Sequence, residues 1–351
     1  MRPAVSYQRS SSFVLCALVL CIAQACAPTE SKPAKKPSSA ALEASDYVLL
    51  VPDFRNDVVH RFGLDGTYEA EFLGPSQFEA QKLAEGLWSS PRALLLLAND
   101  PQTFWLANVH VVTAWDGAGK FMKTVFKDTT AMETPACMEQ IGESIALVSE
   151  DKHAVLVLGV DGTVVRTISS QDFGRATDCK VGADGLLYVS SRLDAPEHTG
   201  LISIWDVSKE PAEDAPRASG YRIAPEQGEQ GTTWISGLAF DDNGDFLVAE
   251  FAHGRVERWN AKTNTKSEVL LDGAAPATYK EINRGPDGLV YVAGNKGIFR
   301  FAASAHASDL LDIKPFFDAS TIAMRYKQEF SPSAIVFVPR AALTASTEPQ
   351  N

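Results

Sequence analysis

One short strand phrase, repeated six times, limits this chain to a small set of folds. Arg255-Val256-Glu257-Arg258-Trp259-Asn260 is echoed by Val58-Val59-His60-Arg61-Phe62, Val111-Val112-Thr113-Ala114-Trp115-Asp116, Ala154-Val155-Leu156-Val157-Leu158, Leu201-Ile202-Ser203-Ile204-Trp205-Asp206 and Gly297-Ile298-Phe299-Arg300-Phe301. The closing residues Phe62, Trp115, Leu158, Trp205, Trp259 and Phe301 recur at intervals averaging roughly 48 residues, a period that belongs to propellers and solenoids. Before the echo comes an apolar run, such as Leu186–Val189, Phe246–Ala249 or Leu289–Val292, entered through Asp184-Gly185, Asn243-Gly244 or Asp287-Gly288. Asp-Gly and Asn-Gly supply the positive φ that tight hairpins need.

A first strand precedes the turn, as in Asp178–Val181 and Ser236–Phe240, and a fourth follows the echo at 68–72, 121–126 and 164–168. Four antiparallel strands per repeat describe a propeller blade, so residues 46–340 are expected to form an all-β, six-bladed propeller. The folded part opens on a second-strand pattern, Tyr47–Val51, with no first strand ahead of it. Ser333–Val338 is expected to supply that strand from the other end of the chain, closing the ring and burying its edges. An open solenoid would instead need polar capping repeats, and none is visible.

An apolar strand, a polar turn, then Arg-Val-x-x-aromatic, with Asp-Gly following, resembles the NHL-repeat propellers and the gluconolactonase-like six-bladed propellers. The resemblance covers roughly residues 46–340 and implies a fold more than an activity, since propellers host many unrelated functions.

The N-terminus reads as an export signal over residues 1–25: Arg2 and Arg9, then an apolar stretch from Phe13 to Ala23 of about eleven residues, too short to span a membrane. Cys26 follows small residues and resembles the lipid-modified cysteine of bacterial lipoproteins, although Ala23 and Gln24 depart from the usual box. Cleavage after Ala25 without lipidation is the other reading. Ala27 after the cysteine implies, in that pattern, the outer membrane. Residues 26–45, with Pro28, Pro33, Pro37 and several Ser and Ala, read as a flexible spacer, and 341–351 as a disordered tail. The formal charge is −12, and loss of the leader takes it to about −14. Such an acidic chain is repelled by nucleic acid and anionic lipid, so membrane contact is expected through the acyl anchor only.

Cys137 and Cys179 remain in the folded part, in the first strands of neighbouring repeats; either a disulfide or two buried thiols fits that placement.

Loops joining second to third strands, and fourth to next first strands, emerge on one face. Candidates for a ligand there are Asp53, Arg55, His153, Arg192, His198, Trp234, Glu250, His253 and Asn295, with Arg175 and Lys152 as further bases. His110, His153, His198 and His253 precede the echo in consecutive repeats, but packed sheets about 10 Å apart cannot bring four imidazoles to one zinc with bonds of about 2.0 Å. Asp178 and Glu281 occupy equivalent axial positions, and a hard divalent cation such as calcium would want carboxylates converging there. The gluconolactonase-like resemblance implies such an ion on an axial Glu, Asn and Asp, polarising a lactone. This chain has Ser236-Gly237 where that pattern has Asn-Gly, and Glu281 where it has Asp. The sequence holds no Gly-x-Ser-x-Gly, His-Glu-x-x-His, phosphate loop or Cys-x-x-Cys. The expectation is therefore an exported binding module of the cell envelope, taking a protein, small molecule or carbohydrate. The alternative is a divalent-metal-dependent lactonase or esterase.

Overall fold

The structure, a computed structural model, describes residues 44–169, 174–193, 199–208, 220–223, 233–272 and 278–344. Among these residues the strands form six four-stranded antiparallel sheets. Blade 1 pairs Val336–Pro339 with Tyr47–Asp53, Val58–Gly63 and Tyr68–Leu73; blade 2 holds Ala93–Leu96, Thr103–Asn108, Val111–Asp116 and Phe121–Lys127. Blade 3 holds Pro135–Ile141, Ser144–Ser149, Ala154–Gly159 and Val164–Ser169, and blade 4 Arg175–Val181, Leu187–Arg192, Gly200–Trp205 and Tyr221–Ile223. Blade 5 holds Ile235–Phe240, Phe246–Glu250, Arg255–Asn260 and Thr265–Asp272, and blade 6 Tyr279–Arg284, Leu289–Gly294, Gly297–Ala302 and the two-residue Phe317–Asp318. The Gly turns fall where the sequence puts them, with φ of +77° at Gly185 and +79° at Gly288, values that a side chain would strain.

The C-terminal strand closes the ring. Tyr47 faces Pro339, Val48 faces Val338, Leu49 faces Phe337 and Leu50 faces Val336, and the amide of Ser333 donates to the carbonyl of Pro52. Val48, Leu49, Leu50 and Val338 are fully buried, so the joint is a hydrophobic core element as well as a hydrogen-bonded one.

The repeated markers have a common physical task. The hydrophobic core of the described residues divides into six clusters, one at each boundary between blades, and each cluster contains the marker of the blade that follows: Phe62, Trp115, Leu158, Trp205, Trp259 and Phe301. An open array of six sheets would have five such boundaries; the sixth, between blades 6 and 1, packs Phe62, Leu49 and Val51 against Tyr291, Ala293 and Ile298. The three tryptophans keep their indole N–H satisfied within their own strand, donating to the side chain two residues earlier: Thr113 at 2.8 Å, Ser203 at 2.7 Å and Glu257 at 2.9 Å.

Two short helices lie outside the repeat. Pro75–Ala80 seats Phe78 against Trp88 and Trp115 between blades 1 and 2, and Ser320–Tyr326 buries Ile322 in the closing cluster. The ordered chain also passes the expected boundary at 340: Arg340–Leu343 forms a 3-10 turn that buries Ala342 against blades 1 and 2.

Inner strands crowd near the axis. A Cβ added at Gly237 would stand 2.9 Å from the amide nitrogen of Ile282, so only glycine lets blade 5 approach blade 6 this closely. Two boundaries earlier, Cys137 and Cys179 are joined, their Cα atoms 5.8 Å apart, tying the inner strands of blades 3 and 4. Closing a loop over a sequence separation of 42 makes such a bond worth about 4 kcal/mol in the chain-entropy picture.

If the C-terminal strand is a core element, Val338→Asp will lower unfolding free energy by more than about 4 kcal/mol, because it leaves a charge unpaired in the closing joint. Val165→Asp, on the exposed outer strand of blade 3, will change it by less than about 0.5 kcal/mol. Urea unfolding of both variants checks the contrast.

Candidate ligand site at the axial mouth

Asp178 and Glu281 do converge on the axis, and a third charged residue lies between them. Lys180 follows Asp178 by two positions, so both side chains leave the inner strand of blade 4 on the same face. Its ammonium stands 3.2 Å from Asp178 Oδ1, 3.4 Å from Glu281 Oε1 and 3.8 Å from Glu139 Oε1. One cation thus links blades 3, 4 and 6. Asp178 is fixed further, because its Oδ2 accepts the backbone N–H of Leu238 at 2.8 Å and its Oδ1 that of Cys179 at 2.7 Å. Burial pushes the Asp178 and Glu281 carboxyls above their ordinary range, with Lys180 opposing the shift, and the Asp178 charge pushes Glu281 up further. Glu139 is 26% exposed to the channel but walled by inner strands, and burial pushes it up to about 7. The three carboxylates hold Lys180 firmly protonated. The arrangement does not fit a divalent ion, because the position such an ion would need is filled by a tethered ammonium.

Above this cluster the channel widens. The channel cavity of about 390 Å³ and a mouth cavity of about 480 Å³ share Ala136, Glu281 and Ser333 as walls. The mouth opens on the face of the second-to-third-strand loops, and every blade reaches it: Phe54 and Arg55 from blade 1, Arg92 from blade 2, Glu150 and Asp151 from blade 3, Arg175 from blade 4, Trp234 and Phe251 from blade 5, Lys280 from blade 6. Its size suits a small organic molecule.

The charges at the mouth divide into paired and unpaired. Arg175 donates to Glu150 at 2.6 Å and to Asp151 at 3.2 Å, and Arg55 lies 3.6 Å from Glu329. Arg92 and Lys280 form no ion pair among the described residues, although the Lys280 ammonium donates to the Ser331 hydroxyl. Both sit on the Phe54 ring, the Arg92 guanidinium carbon 4.3 Å and the Lys280 nitrogen 4.7 Å from its centroid. The buried Nε–H of Arg92 donates to nothing. Burial, then the neighbouring Arg55 and Arg92, push the Lys280 ammonium down to about 8, against the opposing pull of Asp53 and Glu329. Trp234 and Phe251 pack with centroids 4.6 Å apart, and Arg192 lies 4.4 Å over the Trp234 ring.

Several residues that the sequence offers as ligand contacts are occupied in shaping the loops. Asp53 is fully buried and accepts from the Asn56 side chain at 2.6 Å and from the backbone of Arg55 and Ser331. Glu250 is buried and accepts from the amides of Trp234 and Ala252 and from His253, whose Nδ1 lies 2.9 Å away. Asn295 accepts from the amide of Thr278, and His153 Nδ1 contacts the carbonyl of Gly174. Ser236 donates its hydroxyl to the carbonyls of Ala249 and Tyr279. His198 and Cys26 lie outside the described residues. Arg55, Arg175, Trp234 and Glu281 do reach the mouth, and Arg192 braces it through Trp234. Arg92, Lys280, Phe54 and Phe251 are the contacts that sequence reasoning did not single out. The signal was faint: Arg92 and Lys280 stand at the entrance of inner strands, one or two residues before the buried apolar positions Ala93 and Ile282.

No protein-family model matches the chain, and no curated protein matches it. Among solved structures, a chain of the "Nidogen/Laminin Complex" superposes with a TM-score of 0.58 at 13% identity, over 84% of this chain and 99% of that one. That likeness is one of fold, a six-bladed propeller. Virginiamycin B lyase from Staphylococcus aureus matches at a TM-score of 0.46 and 9% identity, over 74% of this chain and 72% of that one.

Removing Lys180 strands buried carboxylates, so Lys180→Met will cost about 3–5 kcal/mol near pH 8, and the loss will shrink on acidification as the carboxyls take up protons. Glu139 has a folded pKa above its ordinary 4.5, so its contribution to stability is complete below about pH 4.5 and fades as pH rises through about 7. Denaturant unfolding across pH 4–8 will show that decline in the parent chain, and a flatter profile in Glu139→Gln.

Proposed function

We propose that this chain is an exported, lipid-anchored binding module of the bacterial cell envelope that holds a small ligand at its axial mouth. One observation carries the reading: all six blades send side chains to a single cavity whose size and aromatic walls suit a small molecule. Export is supported by the leader-like N-terminus and by the Cys137–Cys179 disulfide, a bond suited to an oxidising compartment. Cys26 is the proposed site of acylation, and residues 27 to 45 the tether. An acidic surface leaves the lipid as the means of membrane contact.

The metal-dependent lactonase alternative requires a divalent ion on Asp178 and Glu281. Lys180 stands against it, since its ammonium already neutralises those groups. Of the hydroxyls at the mouth, those of Ser236 and Ser333 are each engaged with two backbone carbonyls.

Native mass spectrometry of the anchored protein, purified in mild detergent, tests the reading. A stoichiometric small molecule should be retained by the parent chain and lost in Trp234→Ala, which removes one wall of the cavity. Cys26→Ser should move the protein from the membrane fraction to the soluble one. Lactone hydrolysis abolished by a chelator would contradict the binding-module reading in favour of the enzyme.

A further inference from the structure

We propose that the axial mouth takes a small organic monoanion, a carboxylate carried on a flat apolar body, with Arg92 and Lys280 as its paired cations and the rings of Phe54, Trp234 and Phe251 as its walls. The inference rests on reading the mouth as a ligand site and specifies the chemistry of the occupant.

Both cations lie against the Phe54 ring, and neither forms an ion pair among the described residues. Holding like charges together in a half-buried cavity is unfavourable unless something of opposite sign completes the group. The nearby acids act on them only from a distance, Glu150 and Asp151 favouring the Arg92 charge and Asp53 and Glu329 that of Lys280, without an ion pair to either. Asp53 is turned into its own loop, where it accepts four protein donors. Glu329 faces Arg55, and Glu150 and Asp151 face Arg175. The buried Nε–H of Arg92 is left as a donor with nothing to receive it. A carboxylate can accept from a guanidinium and an ammonium at once, through its two oxygens.

The rest of the cavity narrows the class. Three aromatic rings, Phe54, Trp234 and Phe251, line the opening and favour a ligand with a flat apolar body. Glu150 and Asp151 also line the mouth, and their negative charge disfavours a dianion such as phosphate relative to a monocarboxylate. Lys280 adds a pH dependence. Its ammonium, pushed down to about 8, must be protonated to pair with the anion, so affinity falls as pH rises through about 8. The charged groups around it are Arg55 and Arg92, which favour loss of the proton, and Asp53 and Glu329, which oppose it.

Isothermal titration of the full chain with 2-naphthoate, its neutral amide 2-naphthamide, and inorganic phosphate tests the proposal. The parent chain should bind the carboxylate about tenfold or more tightly than the amide, the scale of one charge-assisted hydrogen bond, with phosphate weaker still. Lys280→Met should lose that preference, carboxylate and amide then binding alike. Unfolding below pH 8 should show Lys280→Met equal to or more stable than the parent, because a binding cation is carried at a cost to the fold. Lys280→Arg should keep the preference and hold it well above pH 8. Equal affinity for carboxylate and amide would overturn the anion assignment and leave the mouth a ligand site for neutral molecules. Failure of 2-naphthoate to bind, an unchanged preference in Lys280→Met, or phosphate binding as tightly as 2-naphthoate would overturn it too, and the retained molecule found by mass spectrometry would then judge the site by itself.

Discussion

Four backbone pairings, from Tyr47 with Pro339 to Leu50 with Val336, separate a ring from a ribbon of sheets, and every other feature of the molecule depends on them. A strand with both neighbours in place has no edge to offer a foreign chain, and the sixth hydrophobic boundary exists only because the ends meet. Closure also fixes the radius. With six sheets around one axis, the inner strands pack closely enough that glycine is required at position 237 and that cysteines in adjacent blades come within bonding range.

That narrow axis explains the electrostatics. Side chains pointing inward from six strands have little water to share, so an inward charge must find a partner across the ring. Lys180 answers three carboxylates from three blades, linking the blades while opposing the upward push that burial gives the carboxyls. A buried network of this kind is weak as a source of stability but costly to break. The mouth follows the opposite rule. Arg92 and Lys280 both lie against the Phe54 ring and neither forms an ion pair among the described residues, so their burial is not offset as it is at Lys180.

The sequence displayed the architecture plainly and the site poorly, and the reasons are physical. Trp115, Trp205 and Trp259 are visible because the same wedge between blades must be made at each boundary, so selection for packing writes the same residue at the same offset. The missing first strand was legible for a similar reason: a second-strand pattern at Tyr47 leaves an edge that something must cover. The helices at 75–80 and 320–326 were not legible, since they occur once each and carry no repeat. Lys180 shows the limit more sharply. Its position two residues from Asp178 puts it on the same face, yet its partners Glu139 and Glu281 are set by ring geometry and lie in other blades. Arg92 of blade 2 and Lys280 of blade 6 reach the same ring of blade 1 for the same reason, and a linear sequence has no period that joins them. His153, Glu250 and Asn295 mislead in the converse way, because loop-building residues and ligand-binding residues share the same polar chemistry and the same loops.

The central claim, that the two ends of the folded chain form one cooperative joint, is most directly tested by native-state hydrogen exchange. Amides of residues 47–51 and 336–339 should share one opening free energy, close to that of global unfolding, and should lose protection together as denaturant is added. Exchange of 336–339 at a low free energy of its own, while 47–51 stay protected, would mean that the last strand only rests on the propeller and does not close it.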